Sequence, residues 1–584
     1  MDTNLIGNSS IEKGLDMTHY LRRWGLGLAL LISFTQVAAE GAAERIFHGG
    51  TLYTADAKRP QVTALAVKDG RISYLGDWAG AQAHRDQHTE LVDLQGLTAT
   101  PGFIETHAHL AGLGQQQQTL DLSAAKNYPD MVALVAAKVA GTPSGEPIVG
   151  RGWHQDKWDS PPQPRVKGFQ THGALSAVSP EHPVVLVHAS GHAVFVNARA
   201  MAMAGIDRDT RFSGFGEIIR DEHGQPTGLL NENAAALVAS LGRAKTVSER
   251  LAKRSQQLEL GMAAALRAGI TSFHDAGDGA LDIEALMALG TAGKLPLRLY
   301  LMLSSKEPEL VVDWFSRGPL INHFDHHLTV RAVKVHGDGA LGSRGAWLLD
   351  DYSDRPGHVG TATYPMAQLQ PLAAQALAAG FQLAVHAIGD RTNRVVLDHF
   401  EAALTVSPHS DHRFRIEHAQ HLHPQDIPRF GQLGVIAAMQ SVHMSSDRPW
   451  AIDRLGLQRI QRGAYAWQSL LGSGARVING SDAPVEPINP LASFYAAVSR
   501  QTLAGLPAGG YEPAQKMSRS QALNSYTIDA AFGEFNEQHK GSLAMGKLAD
   551  ITVFSADIMS IPAADILHTE VIMTIVGGEV KYQR

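Results

Sequence analysis

The feature that most constrains this chain is a rhythm. Helical stretches run into a glycine and then directly into an apolar strand. Thus "RLAKRSQQLELGMAAALRAG" feeds "ITSFHDAG", "LQPLAAQALAAG" feeds "FQLAVHAIGD", and "HPQDIPRFGQLG" feeds "VIAAMQS". Glycine suits the residue that closes a helix. Helix and strand units alternating over several hundred residues predict a parallel sheet. The reading is an α/β fold, a (β/α)8 TIM-like barrel over residues 101–534, with active residues at the C-terminal ends of the strands. Between about 115 and 255 the rhythm breaks down in "KWDSPPQPRVKG" and "DEHGQPTG". That stretch reads as an insertion after the first barrel strand.

The flanks follow another pattern. "ALAVKDGRISYLG" alternates around Asp69-Gly70, a hairpin signal. Near the other terminus, "KLADITVFSA" and "EVIMTIVGGEVKY" look alike, with a turn at Gly577-Gly578. Residues 45–100 and 535–584 are therefore expected to form one small composite β-sandwich. At 584 residues, two or three domains are in any case the prior.

The N-terminus has the layout of an export signal. Arg22 and Arg23 precede "WGLGLALLISF", and the small residues of "VAAEGAA" offer cleavage after Ala39. The apolar run is about half the roughly 20 residues of a membrane span. Residues 1–39 are read as a signal peptide, with Met17 as an alternative start and an uncleaved anchor as the alternative fate. The Sec and twin-arginine routes both remain open. The mature protein is expected to be periplasmic or secreted, without stable membrane association.

"PGFIETHAHLAG" places His107 and His109 one residue apart at the end of an apolar run. On a strand, residues i and i+2 share a face. Two neutral imidazoles side by side make good metal ligands and poor neighbours as two cations. A pair on a wet strand face is the alternative. Similar runs end at Lys334 in "LTVRAVKVHGDGALGS", His386 in "FQLAVHAIGDR", His418 in "FRIEHAQHL" and Asp482 in "ARVINGSDAPVEP". The chain has 28 histidines and no cysteine. Disulfides, thiol nucleophiles and cysteine-type zinc sites are excluded, so any metal is held by nitrogen and oxygen. A net charge of −7 without a long basic run argues against nucleic acid as a partner.

These segments together resemble the metal-dependent amidohydrolase superfamily, in particular its YtcJ-like branch, which includes N-substituted formamide deformylases. "PGFIETHAHL" resembles the first-strand motif, and "KVHGDGALGSRGAWL" the segment whose lysine carries a carbamate. "VHAIGDRTN", "RIEHAQ" and "GSDAPVEPINPL" resemble the motifs of strands five, six and eight. "ASGHAVFVNARAM" and "GEIIRDEHGQPTGLLNENA" resemble the branch's insertion, and "GSLAMGKLADITVF" with "VIMTIVGGEVKY" its C-terminal sandwich. Glu105 stands where aspartate is commoner and His336 where an aromatic is commoner.

The resemblance implies two divalent ions, zinc first, with manganese or iron as alternatives. His107 and His109 would hold one, His386 and His418 the other, and a carbamylated Lys334 would bridge them. An ammonium repels a cation, whereas a carbamate offers two oxygens to metals about 3.5–4 Å apart. The alternative is an unmodified Lys334 paired with Asp338 or Asp482 at a one-metal site. Asp482 would be a weak ligand and the general base. Trp153, His154 and His192 would line the substrate pocket or brace its loops. His336 would touch substrate, serve as a spare ligand, or pack. Asp390 and Arg391 read as a structural ion pair, or as support for the neighbouring ligand His386, and "HFDHHL" as a loop at the other end of the barrel.

The implied activity is hydrolysis of a non-peptide C–N bond in a small molecule, an N-acyl or N-formyl amine, by a metal-bound hydroxide. A carbamate or ester substrate and a non-catalytic binding or regulatory role are the alternatives. Oligomeric state is left open.

Overall fold

The structure, a computed structural model, describes residues 41–239, 241, 246–408 and 411–584. The export-signal reading of residues 1–39 lies outside them.

The helix–strand rhythm builds a nearly closed parallel barrel. Its strands in order are Phe103–Ala108, Ile270–Asp278, Arg298–Ser304, Leu328–His336, Gln382–Ala387, Arg415–His418, Ile436–Met439 and Val477–Asn479. Each of the seven successive pairs is parallel, from first with second to seventh with eighth. A short strand, Leu320–Asn322, adds antiparallel to the fourth. Gly380 and Gly434 cap their helices in the left-handed conformation, where a side chain would be strained.

The helix after the first strand, Leu110–Gln118, lies against the long helix Val247–Arg267. The contact is close enough that a Cβ on Gly261 would collide with the Leu110 carbonyl, and one on Gly114 with that of Gln257. Leu258, Met262, Ala265 and Leu266 are buried on the long helix. A capping box between Thr246 and Glu249 starts it, a feature of about 1 kcal/mol. This packing fixes the backbone just after His109.

Both flanking segments enter one eight-stranded sheet. Thr98–Pro101 pairs antiparallel with Ile551–Phe554, which joins the N-terminal strands to the C-terminal ones. The hairpins turn at Asp69-Gly70 and at Gly577-Gly578, all four with positive φ. A separate six-stranded sheet spans Leu120 to Asn231 and carries the insertion. Its core contains Trp153, Phe195, Leu186 and Tyr128. No helix among the described residues is long and apolar enough to cross a membrane.

Candidate metal centre

The seam between the first and eighth barrel strands assembles the site. The buried Glu105 carboxyl accepts from the amides of His107 at 2.9 Å and Ser481 at 3.0 Å, and from the Ser481 hydroxyl at 2.7 Å. Beyond it, the Asp482 amide donates to the His107 carbonyl at 2.7 Å and the His109 amide to the Ala483 carbonyl at 2.8 Å. Burial pushes Glu105 up to about 8 despite its donors.

Asp482 stands at the focus. Its Oδ1 lies 3.2 Å from His109 Nε2 and 3.7 Å from His107 Nε2, and its Oδ2 lies 3.9 Å from His443 Nε2. Burial opposes its charge, but the hydrogen bond from His109 and the neighbouring imidazoles hold it well below the usual carboxylate range. Asp482 and His418 both have left-handed backbone, with φ of +58° and +73°. Such strain in a non-glycine residue costs about 1–2 kcal/mol and clusters at functional sites.

Partners set the tautomers. His107 Nδ1 bonds the Glu417 carboxylate, which can only accept, so Nδ1 carries the proton and Nε2 keeps its lone pair. His418 Nδ1 donates to Gln440 Oε1 at 2.7 Å, with the same result. Glu417 is itself gripped by Arg415 through Nε and Nη2. Burial, more than the nearby charges, lowers His107 to about 4 and puts His386 and His418 well below the usual histidine value. Neutral imidazoles with free lone pairs form an acceptor set suited to a cation.

In each of two groups the ligand atoms all lie within 4.8 Å of one another: His107, His109 and Asp482, and His418, His443 and Asp482. The His386 and His418 rings are 4.4 Å apart. Lys334 Nζ lies 3.2 Å from His107 Nε2 and is buried. Neither acid named as its alternative partner pairs with it. Asp338 instead accepts from the amides of Trp347 (2.9 Å), Ile388 (3.0 Å) and Gly389 (2.9 Å) and from the Thr392 hydroxyl (2.8 Å).

A cavity of about 450 Å³ opens over these residues and is also lined by Arg151, His192, Lys306 and His336. His192 donates from Nδ1 to Glu232 at 2.8 Å. A second lobe, against His386, His418 and Asp482, contains His154, Leu341 and Trp450. Trp153 lines neither lobe. Its indole is wholly buried and donates to the Leu186 carbonyl at 2.9 Å, so of the two roles expected for it the structure assigns bracing.

The expected Asp390–Arg391 ion pair is also corrected. Asp390 accepts from the Leu349 amide at 2.9 Å and lies 3.4 Å from His421, while Arg391 donates to the carbonyls of Leu348 and Leu349, each at 2.9 Å. Backbone groups of the preceding loop outcompete the neighbouring side chain.

His443 and Glu417 were missed in the sequence. His443 follows the seventh strand by four residues, in "MQSVHMSSD", and the same strand-end rule would have found it. Glu417 adjoins His418, but no local pattern links it to His107.

Residues 90–582 match the model of the amidohydrolase family. The chain belongs to the amidohydrolase family. This amidohydrolase is 31% identical over 554 residues to the Arabidopsis thaliana protein LONG AFTER FAR-RED 3, covering 92% of each chain. It is 30% identical to the Bacillus subtilis (strain 168) protein YtcJ, over 92% of this chain and 99% of that one. An N-substituted formamide deformylase of Arthrobacter pascens is 27% identical, over 91% and 97%. Among solved structures, a metal-dependent hydrolase from Pyrococcus horikoshii OT3 superposes with a TM-score of 0.71 at 26% identity, covering 89% of this chain and 99% of that one. The amidohydrolase thus has a metal-dependent hydrolase fold, with histidine and aspartate groups placed to hold metal.

Proposed function

We propose that this amidohydrolase cleaves a non-peptide C–N bond in a small molecule of the N-acyl or N-formyl amine type. His107, His109, His386, His418 and Asp482 would hold two divalent cations, zinc first, with a carbamylated Lys334 between them. The observation that carries the reading is the convergence of neutral imidazoles and one ionised carboxylate on a buried lysine that forms no direct ion pair among the described residues. The name of the Arthrobacter pascens relative supports a C–N bond.

When bound, the metal would acidify a water molecule and polarise the substrate carbonyl. Asp482 takes the proton from the attacking water and returns it to the leaving nitrogen, because an amide anion leaves poorly. Glu417 holds the His107 ring and its proton in place. His443 faces the same carboxylate as His107 and His109, and we assign it to orienting Asp482 or to ligation. Burial lowers Lys334 to about 8, which enlarges the fraction of neutral amine, the form that adds to carbon dioxide.

The test is elemental analysis combined with a screen of formamides, N-acyl amines, carbamates and aryl esters on zinc- and manganese-loaded protein. Two ions per chain and turnover of a formamide or acyl amine are expected. Fewer than one ion per chain, or turnover confined to esters and carbamates, overturns the reading. Carbon-13 spectroscopy reads the bridge, and an unmodified Lys334 at full metal occupancy refutes it. Export to the periplasm or medium, with a small-molecule substrate as partner, belongs to the same proposal. N-terminal sequencing of the mature protein tests it, and a chain beginning at residue 1 would sink the cleavage step.

A further inference from the structure

The cavity over the metal centre contains positive charge that the hydrolytic machinery does not use. Arg151 comes from the insertion strand Ile148–Trp153, and Lys306 from the turn after the third barrel strand; both line the cavity with His107 and His109. Among the described residues, neither forms an ion pair with a carboxylate. Arg151 donates from Nη2 to the Ala189 carbonyl at 2.9 Å, and its Nε is buried without a hydrogen-bond partner. Two acids of that wall have other partners: Glu232 accepts from His192 at 2.8 Å through Oε2, leaving Oε1 without a hydrogen-bond partner, and Asp338 is occupied by backbone amides and Thr392.

The adjoining lobe handles its cation differently. There Lys157 Nζ lies 2.8 Å from Glu486 Oε1, so the charge is neutralised internally beside Trp450 and Leu341. A guanidinium with a buried, unused donor is costly unless an anion completes it, and its planar fork matches a carboxylate. The cations are thus left open in one lobe only.

We propose that Arg151 and Lys306 form a recognition site for a carboxylate on the substrate. The preferred substrates are then amides with a carboxylate close to the scissile bond, N-acyl amino acids being the simplest. The other lobe, with Trp450 and Leu341, takes the apolar end. This inference rests on the hydrolase reading for its chemistry, but its test does not depend on turnover.

The probes are phenylacetylglycine and its neutral isostere N-propyl-phenylacetamide, offered to zinc-loaded full-length protein. The readout is KM where the compounds are cleaved and Kd from calorimetry where they are not. The acid is expected to bind more tightly, and Arg151→Met to reduce the acid-over-neutral ratio about 10- to 100-fold, the range for charged hydrogen bonds. Lys306→Met should reduce the ratio less, and Arg151→Lys should restore part of it. The metal ions are common to all variants, so a carboxylate held by them would leave the ratio unchanged. An unchanged ratio in Arg151→Met, or equal loss of both probes, overturns the proposal. Failure of the hydrolase reading shows separately, as absent turnover with the ratio still sensitive to Arg151.

Discussion

The barrel is polar at both ends, and the two ends differ in how completely their cations are paired. At the N-terminal end, Lys540 Nζ lies 2.8 Å from Glu534 and reaches the Ser272 hydroxyl, with His274 3.5 Å from the same carboxylate. Close by, Arg298 donates to both Asp550 oxygens, at 2.8 and 3.0 Å, and Arg413 to both Glu537 oxygens, at 2.8 and 3.0 Å. Each of these cations has its acid. At the C-terminal end Lys334 and Arg151 form no ion pair among the described residues, and His443 Nε2 and Arg151 Nε are buried without hydrogen-bond partners. An unsatisfied buried polar group costs about 1–3 kcal/mol. Concentrating several at one mouth makes sense if a cation and an anionic substrate complete them. Paired charge at one end builds the barrel; at the other, paired groups such as Lys157 and Glu486 stand beside cations left open for ligands.

The sharpest way to break this comparison is to remove the metal. Chelation is expected to abolish hydrolysis, and added zinc to restore it, while circular dichroism shows the barrel still folded. Unfolding on chelation would make the metal end structural as well. Next, Asp482→Asn should keep metal bound, by elemental analysis, and lower kcat by about 10²–10⁴. A fully active variant would remove Asp482 from the proton-transfer role.

At the other end, Glu534→Gln leaves Lys540 buried and unpaired, which should cost about 3–5 kcal/mol of stability by denaturant unfolding. Metal content should be unchanged, and a matching loss of metal would show that the two ends are not independent. Between them, Glu417→Gln tests the link, because Arg415 ties Glu417 to His274 at 3.1 Å. Metal affinity is expected to fall about 10- to 100-fold, and an unchanged affinity would detach Glu417 from the site.

The smallest effect is a pH dependence. Burial opposes the Glu534 charge, but Lys540 and His274 outweigh it and bring its carboxyl down to about 2 from 4.5. With the folded value below the unfolded one, this stabilisation is fully present above about pH 4.5 and fades as pH falls toward 2. The stability gap between wild type and Glu534→Gln should therefore narrow from pH 5 to pH 3. A gap that stays constant would show that Glu534 is not ionised through that pair.

Much of the architecture was legible because its signals are local. Glycine-capped helices, the Asp69-Gly70 and Gly577-Gly578 turns and the apolar runs are each contained within about 20 residues. So are the strand ends carrying His107, His109, Lys334, His386, His418 and Asp482, which the structure brings to one mouth. Less legible were residues whose partners are distant in the chain. Glu417 reaches across 310 positions to His107, and Glu105 across 376 to Ser481. Asp390 and Arg391 misled because adjacency suggested a pair where a loop backbone supplied better partners.

By itself, then, the sequence determined the repeating unit, the β-rich character of the two flanking segments, and the nitrogen and oxygen chemistry of any metal site. Those follow from backbone periodicity and from the absence of cysteine, which no later packing can alter. Tertiary structure decided which histidines share Asp482, how Glu105 seals the seam, and that Arg151 stands over the metal centre without an ion pair among the described residues. Such neighbours arise only when a sheet closes on itself and an insertion folds over its mouth, so the distances that matter have no counterpart along the chain.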